Sequence, residues 1–232
     1  MEWFVLAPAE IEAIKLSLLV GFWSVTASLP AGIFFGWLLA RKDFYGKSIL
    51  DGILHLPLVI PPVVTGFILL ILFGKRGIIG AWLEQTFGFT FAFNWKGAAL
   101  ASAIMSFPLM VRAVRLSIES IDKGLEQAAK TLGKSPLQVF FTITLPLSIS
   151  GIIAGIVLAF ARSLGEFGAT ITFVSNIPGE TQTLPIALYS LLQVPGGEAG
   201  AAKLCVISII LAFAALILSE YFAKRSEKSR EK

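Results

Sequence analysis

Apolar residues in this chain gather into long uninterrupted windows, and the charged residues between the windows set its organisation. No charged side chain occurs between positions 16 and 40, and from 52 to 74 the only ionisable group is His55. A window opening after Lys96 meets Arg112 early, but it reaches Leu116 if Arg112 and Arg115 snorkel to headgroup level. Positions 135–161 are uncharged, with Pro136 and Pro146 punctuating the first part, so the spanning portion should begin near Thr142. Positions 204–219 are also uncharged and reach span length if the helix continues through Glu220 to Phe222. A bilayer core takes about 20 apolar residues per helix, because every backbone polar group there must pair within the segment. The pattern therefore predicts five spans, near 15–40, 51–73, 97–116, 143–165 and 203–222, in one membrane domain covering 1–232.

Composition agrees with that reading. Hydrophobic residues make up 56% of the chain and charged residues only 15%, against roughly 25% charged in a soluble domain. The mean hydropathy is +0.81. An all-α polytopic membrane protein is expected. A disordered tail, a nucleic-acid binder and an ordinary cytosolic enzyme all fit poorly. One Cys and one His leave no disulfide framework and no self-contained transition-metal site. The formal charge of +4 matters less than its placement. Most Lys and Arg fall on one side of the predicted spans, in the loops holding Arg41, Lys42, Lys47, Arg112, Arg115, Lys123, Lys130 and Lys134 and in the tail 224–232. Lys15, Lys75, Arg76, Lys96, Arg162 and Lys203 fall on the other. By the positive-inside rule the N-terminus is outside and the C-terminus inside. Residues 1–12 hold three Glu and no Lys or Arg, unlike the basic start of a cleaved signal, so the first span is expected to persist.

Positions 167–200 read less simply, because Pro178, Gly179, Pro185, Pro195, Gly196 and Gly197 break up their apolar runs. They form either a re-entrant excursion covered by protein or an extramembrane loop with a short surface helix.

The segment between the third and fourth spans carries the sharpest local signals. Asp122 is placed to cap a helix running to Leu132, Gly133 to stop it in the left-handed region, and Ser135-Pro136 to start a second helix. Two short helices at about 122–142 thus meet at an angle beneath the membrane. Ala128 and Ala129 keep one surface low, and Leu125, Leu132, Val139, Phe140 and Phe141 supply apolar anchors. This suits docking into a groove of a cytoplasmic partner. The alternative is an amphipathic linker packed on its own bundle.

Within this segment Gln127-Ala128-Ala129, three residues, Gly133, nine residues, and Ile143-Thr144-Leu145-Pro146 resemble the coupling motif of ABC-importer permeases, Glu-Ala-Ala-x3-Gly-x9-Ile-x-Leu-Pro. Gln127 departs from the usual Glu, and Glu126 just before it is the candidate substitute. The similarity extends along the chain through His55-Leu-Pro-Leu-Val-Ile-Pro-Pro-Val-Val, Ser106-Phe-Pro-Leu-Met-Val-Arg-Ala, Ala159-Phe-Ala-Arg-Ser-Leu-Gly-Glu-Phe-Gly-Ala-Thr and Ile171-Thr-Phe-Val-Ser-Asn-Ile-Pro-Gly-Glu-Thr. These blocks resemble the permeases of molybdate- and sulfate-type ABC importers, and Val-Ser-Asn-Ile-Pro-Gly-Glu-Thr resembles the molybdate branch. The resemblance implies a type I importer permease fold and a homodimer with its pore on the two-fold axis. It also implies two ATPase subunits inside, holding the ATP and Mg, and an extracytoplasmic molybdate-binding protein outside. Glu126, Gln127, Ala128, Ala129, Gly133, Ile143, Leu145 and Pro146 would then couple to the ATPase.

The chain shows no engine of its own. Gly46-Lys47-Ser48 resembles the end of a P-loop, but Arg41 occupies the first glycine position. No cofactor is expected in this chain. Pro57, Pro61 and Pro62 predict a kinked or partly opened second span, either a wall of a translocation path or simple kinked packing. Thr65, Ser102 and Ser106 are candidate weak donors to a passing oxyanion. Arg162 and Glu166 stand one helical turn apart with Ser163 between them; they form either a mutually neutralising pair or a cavity-facing cation with its counter-charge. An intramembrane hydrolase would need acid or His clusters that the chain lacks, and a simple channel would need no docking helices.

Overall fold

The computed structural model describes residues 6–228, and every regular element among them is helical. Three helices are long and apolar enough to cross a membrane singly. These are α1 (Pro8–Arg41), α5 (Trp95–Glu119) and the Glu198–Leu218 part of α12 (Glu198–Lys228). Two bent helix pairs reach the same length and hydropathy only when taken together, as a broken span or a re-entrant loop each. One joins α2 (Lys47–Val59) to α3 (Pro62–Phe73) at 111°; the other joins Pro136–Leu147 to α9 (Ile149–Leu164) at 67°. The remaining elements are short: α4 (Ile78–Phe87), α6 (Lys123–Thr131), α7 (Pro136–Val139), a π turn at Phe140–Thr144, α8 (Leu145–Leu147), α10 (Gly168–Val174) and α11 (Leu184–Leu192).

Both bends follow from proline chemistry. Ile60 and Pro61 each precede a proline, which disfavours helical backbone, and both are extended (ψ 147° and 135°). The helix expected to be kinked or partly opened is therefore fully broken, and α3 restarts with Pro62 at its first position. In the fourth span Pro146 lacks an N–H, the backbone widens into the π turn, and Ser148 bends away (φ −94°, ψ 2°) with its hydroxyl donating to the Leu145 carbonyl at 3.0 Å. The straight helix consequently starts at Ile149 rather than near 143. The first span starts earlier than its apolar window, at Pro8. Glu10 there accepts from the Ala7 N–H at 2.8 Å and pairs with Lys203 of α12 at 3.2 Å, so the charged first turn is held by protein.

The core sits around α5. Buried side chains cover 61% of its apolar window, against 33% for α1 and 11% for α12, so α5 is central and α12 peripheral. Close approach to α5 depends on small residues. A Cβ on Gly32 of α1 would lie 2.6 Å from Met110 Sδ, and one on Gly36 would lie 2.7 Å from Val114 Cγ1. Stretch 168–192 is not a loose surface loop. Ala169, Thr170, Phe173 and Val174 of α10 are fully buried, and α11 is tied to α1 by the Leu184 N–H donating to Ser17 Oγ at 2.7 Å. Non-helical backbone at membrane depth requires such cover.

The α3–α10 junction brings backbone against backbone. A Cβ on Gly66 would meet the Ala169 carbonyl oxygen at 2.5 Å and its Cα at 2.9 Å, and backbone cannot rotate aside. Gly66→Ala is therefore expected to destabilise this junction by about 1–3 kcal/mol, the usual cost of overpacking. Thermal unfolding of the detergent-purified chain checks it, with Gly52→Ala, where a Cβ meets nothing within 4 Å, as the silent control.

Candidate coupling elbow

α6 is opened and closed by its own side chains. The Asp122 carboxylate accepts from the Gly124 N–H at 2.8 Å, capping the start. At the end the Lys134 N–H donates to the Ala129 carbonyl at 3.1 Å and the Gly133 N–H to the Lys130 carbonyl at 3.0 Å. This is a Schellman closure, and it needs the left-handed φ of +85° at Gly133. Ser135 and Gln138 then cap α7 reciprocally: the Gln138 N–H donates to Ser135 Oγ (3.3 Å) and the Ser135 N–H to Gln138 Oε1 (2.8 Å). The elbow is thus formed from local sequence, at the residues predicted for it.

What lies on its two faces differs from the sequence reading. Gln127 and Ala128 point outward with Leu125, Leu132 (83% exposed), Leu137 and Phe141. Val139, expected as an anchor, is buried, and Phe140 stacks edge-on against Trp37 at 5.7 Å. The outer apolar face therefore contains Leu137 in their place. Glu126 also turns inward, with Ala129 on the same face. Its Oε1 accepts from Arg41 Nε at 2.9 Å and from Thr144 Oγ1 at 2.8 Å, while Arg41 Nη2 donates to the Ile121 carbonyl at 3.0 Å. The Glu126 carboxylate is thus paired inside the chain and not presented on the outward face with Gln127. Instead it ties the elbow to the end of α1 and to the π turn. Ile143 and Leu145 are half-buried beside this contact and Pro146 is exposed. Arg41 and Thr144 are the residues that sequence reasoning missed. The available signal was a lone acid sharing a face with Ala129, which must find a cation if buried.

The candidate path residues do not converge on one site. Pro61 and Pro62 form the break between α2 and α3. Thr65, Ser102, Ser106 and Ser163 are all buried within the chain. Ser106 donates to the Ser102 carbonyl (2.7 Å) and Ser24 to Ser163 Oγ (3.1 Å), while the Thr65 and Ser102 hydroxyls have no hydrogen-bond partner. Arg162 Nη1 lies 2.7 Å from Glu166 Oε2, and Glu166 Oε1 accepts from the Ala169 N–H at 2.8 Å. The pair therefore braces α9 onto α10. His55 lies 3.1 Å from Asp51, which Arg115 also contacts at 3.0 Å, joining α2 to α5. Among the described residues no group of three His, Cys, Asp or Glu side chains is placed to hold a metal.

Residues 30–228 match the family described as binding-protein-dependent transport system inner membrane component. The chain belongs to this family. It is 62% identical over 224 residues to the molybdenum transport system permease protein ModB of Escherichia coli K12, covering 97% of this chain and 98% of that one. It is also 62% identical to ModB of Haemophilus influenzae over 219 residues, 94% of this chain and 96% of that protein. The sulfate transport system permease protein CysT of Escherichia coli K12 is more distant, at 34% over 221 residues, 94% of this chain and 79% of CysT. Among solved structures, a bacterial ABC transporter importing alginate superposes with a TM-score of 0.74 at 19% identity, covering 95% of this chain and 80% of that one. The methionine transporter MetNI in an inward-facing form gives 0.69 at 14% identity, covering 94% of each chain. These matches establish a multi-pass ABC-importer permease fold.

Proposed function

We propose that this chain is the membrane subunit of an ATP-driven molybdate importer, and that its elbow at Lys123–Val139 is the lever on which a separate ATPase acts. The observation that carries this is the elbow itself. It is a rigidly capped helix pair with an exposed face of Gln127, Ala128, Leu125 and Leu132, locked from behind to α1 through Glu126 and Arg41. A push on that face is transmitted to a membrane-spanning helix through a buried ion pair and not through a slack loop. Molybdate as cargo is supported by the 62% identity to permeases named for molybdenum, against 34% to a sulfate permease. A related oxyanion such as sulfate or tungstate is the second reading.

The Lys and Arg distribution supports an N-out, C-in orientation with the elbow in the cytoplasm. A second copy of the chain is part of this reading, as the resemblance to ABC-importer permeases implies. In this reading two ATPase subunits hold the ATP and Mg, and an external binding protein delivers the anion. Closure of the ATPases pulls both elbows together and opens the cavity outward; hydrolysis returns it.

Reconstitution tests the reading. Proteoliposomes with the chain, its ATPase and its binding protein should take up molybdate only when ATP is inside, while the chain alone should neither hydrolyse ATP nor conduct the anion. Uptake by the lone chain without ATP would make it a channel. Equal uptake of sulfate through the same binding protein would shift the cargo assignment.

A further inference from the structure

Two cavities meet at the elbow, and their chemistry differs sharply. The first, about 180 Å³, is lined by Arg41, Lys42, Lys123 and Lys130, with Glu126 its one carboxylate. Arg41 already neutralises Glu126, so the three lysines give the cavity a surplus of positive charge. Arg41 itself is built in, with its side chain only 7% exposed. Its Nε and Nη2 are committed to Glu126 and the Ile121 carbonyl, while the buried Nη1 has no acceptor. An orphaned guanidinium donor of this kind calls for an acceptor, and a phosphate oxygen is a strong one.

The second cavity, about 430 Å³, is apolar and is formed by Pro30, Ile33, Phe34, Phe141 and Leu145. Trp37, Pro136 and Phe140 line both cavities, so the cationic space and the apolar groove adjoin at these three side chains. Lys42 Nζ sits 5.7 Å from the Trp37 ring centroid, a Trp–cation arrangement typical of headgroup level. A free inorganic anion would use the first cavity only and a hydrocarbon the second only.

We propose that these adjoining cavities hold one anionic phospholipid, its phosphate among Arg41, Lys42, Lys123 and Lys130 and one acyl chain along Phe34 and Phe141. Basic pockets between transmembrane helices at the bilayer surface recognise anionic headgroups in this way. The lipid would bridge the end of α1 to the elbow, with Gln127, Leu137 and Phe141 of the outward face at the edges of the two cavities. The inference needs only that the elbow lies at the membrane surface, and it does not depend on the importer's cargo or on ATPase docking.

The test uses the full chain, delipidated in neutral detergent, with short-chain phosphatidylglycerol, phosphatidylcholine of the same chain length, and inorganic phosphate as probes. Saturable binding of phosphatidylglycerol that raises the unfolding midpoint is expected, with phosphatidylcholine giving neither. Exposed Lys42, Lys123 and Lys130 changed together to Gln should weaken that binding at least tenfold, each lysine near a headgroup contributing about fivefold. Phe141→Ala, at a half-exposed position, should weaken phosphatidylglycerol binding while leaving any response to inorganic phosphate unchanged. Equal binding of both lipids, no saturable binding, or a response to inorganic phosphate that fully replaces the lipid with Phe141→Ala silent would each overturn the proposal.

Discussion

Replacing Gly133 by valine is expected to leave ATP hydrolysis by the assembled complex running while molybdate uptake falls about tenfold or more. The reason is backbone, not crowding. A Cβ at position 133 would meet no heavy atom within 4 Å, so there is room for a side chain. The φ of +85°, however, is one that a β-branched residue adopts only under strain of about 1–3 kcal/mol. Relieving it opens the closure made by the Lys134 and Gly133 N–H groups and changes the angle between α6 and α7. Coupling energies of that size correspond to roughly 5–150-fold effects. Asparagine tolerates the left-handed region, so Gly133→Asn should keep most of the uptake. Parallel measurement of hydrolysis and uptake in proteoliposomes decides the matter. Undiminished uptake by Gly133→Val would remove the elbow's angle from the mechanism, and an Asn variant as defective as Val would point to the docking surface instead.

Arg41→Met should be the most damaging single change in the elbow region. It leaves the Glu126 carboxylate, 8% exposed, without its cation and the Ile121 carbonyl without its donor. Breaking a buried ion pair on one side costs about 3–5 kcal/mol, equivalent to a population shift of roughly 10² or more. The elbow should come away from α1, which would appear as faster protease cleavage near residues 122–135 in membrane vesicles and as near-complete loss of uptake. Removing the stranded charge offers a built-in control. Glu126→Gln placed on the Arg41→Met background keeps an acceptor for the Thr144 hydroxyl and should recover part of both readouts. If Arg41→Met alone keeps the parent's protease resistance, the ion pair is not what seats the elbow.

Both predictions concern features that differ in how far they could be read in advance. Gly133, Asp122 and Ser135 act on backbone groups within a few residues, so their roles follow from spacing alone. The same holds for the break at Ile60–Pro62, although two consecutive proline-preceding residues produce a 111° break where a kinked or partly opened helix was expected. The inward turn of Glu126 rests on partners 85 and 18 positions away, which no local pattern reveals. Thr65, Ser102, Ser106 and Ser163 illustrate the same limit. A hydroxyl on an apolar helix is compatible with either a path or a packing face, and only the packed structure shows that these four are buried within the chain.

The sequence by itself determined the membrane class, the helical windows, the elbow with its caps, and the family likeness, because charge exclusion from hydrocarbon and short-range hydrogen bonding are written in consecutive residues. Only the tertiary structure decided which faces of those helices meet. It turned α10 and α11 into protein-covered elements, spent Glu126 on Arg41, and set a cationic cavity beside an apolar groove. Those outcomes depend on side chains far apart in the chain sharing one small, water-poor space, where each polar group must find whichever partner packing brings within reach.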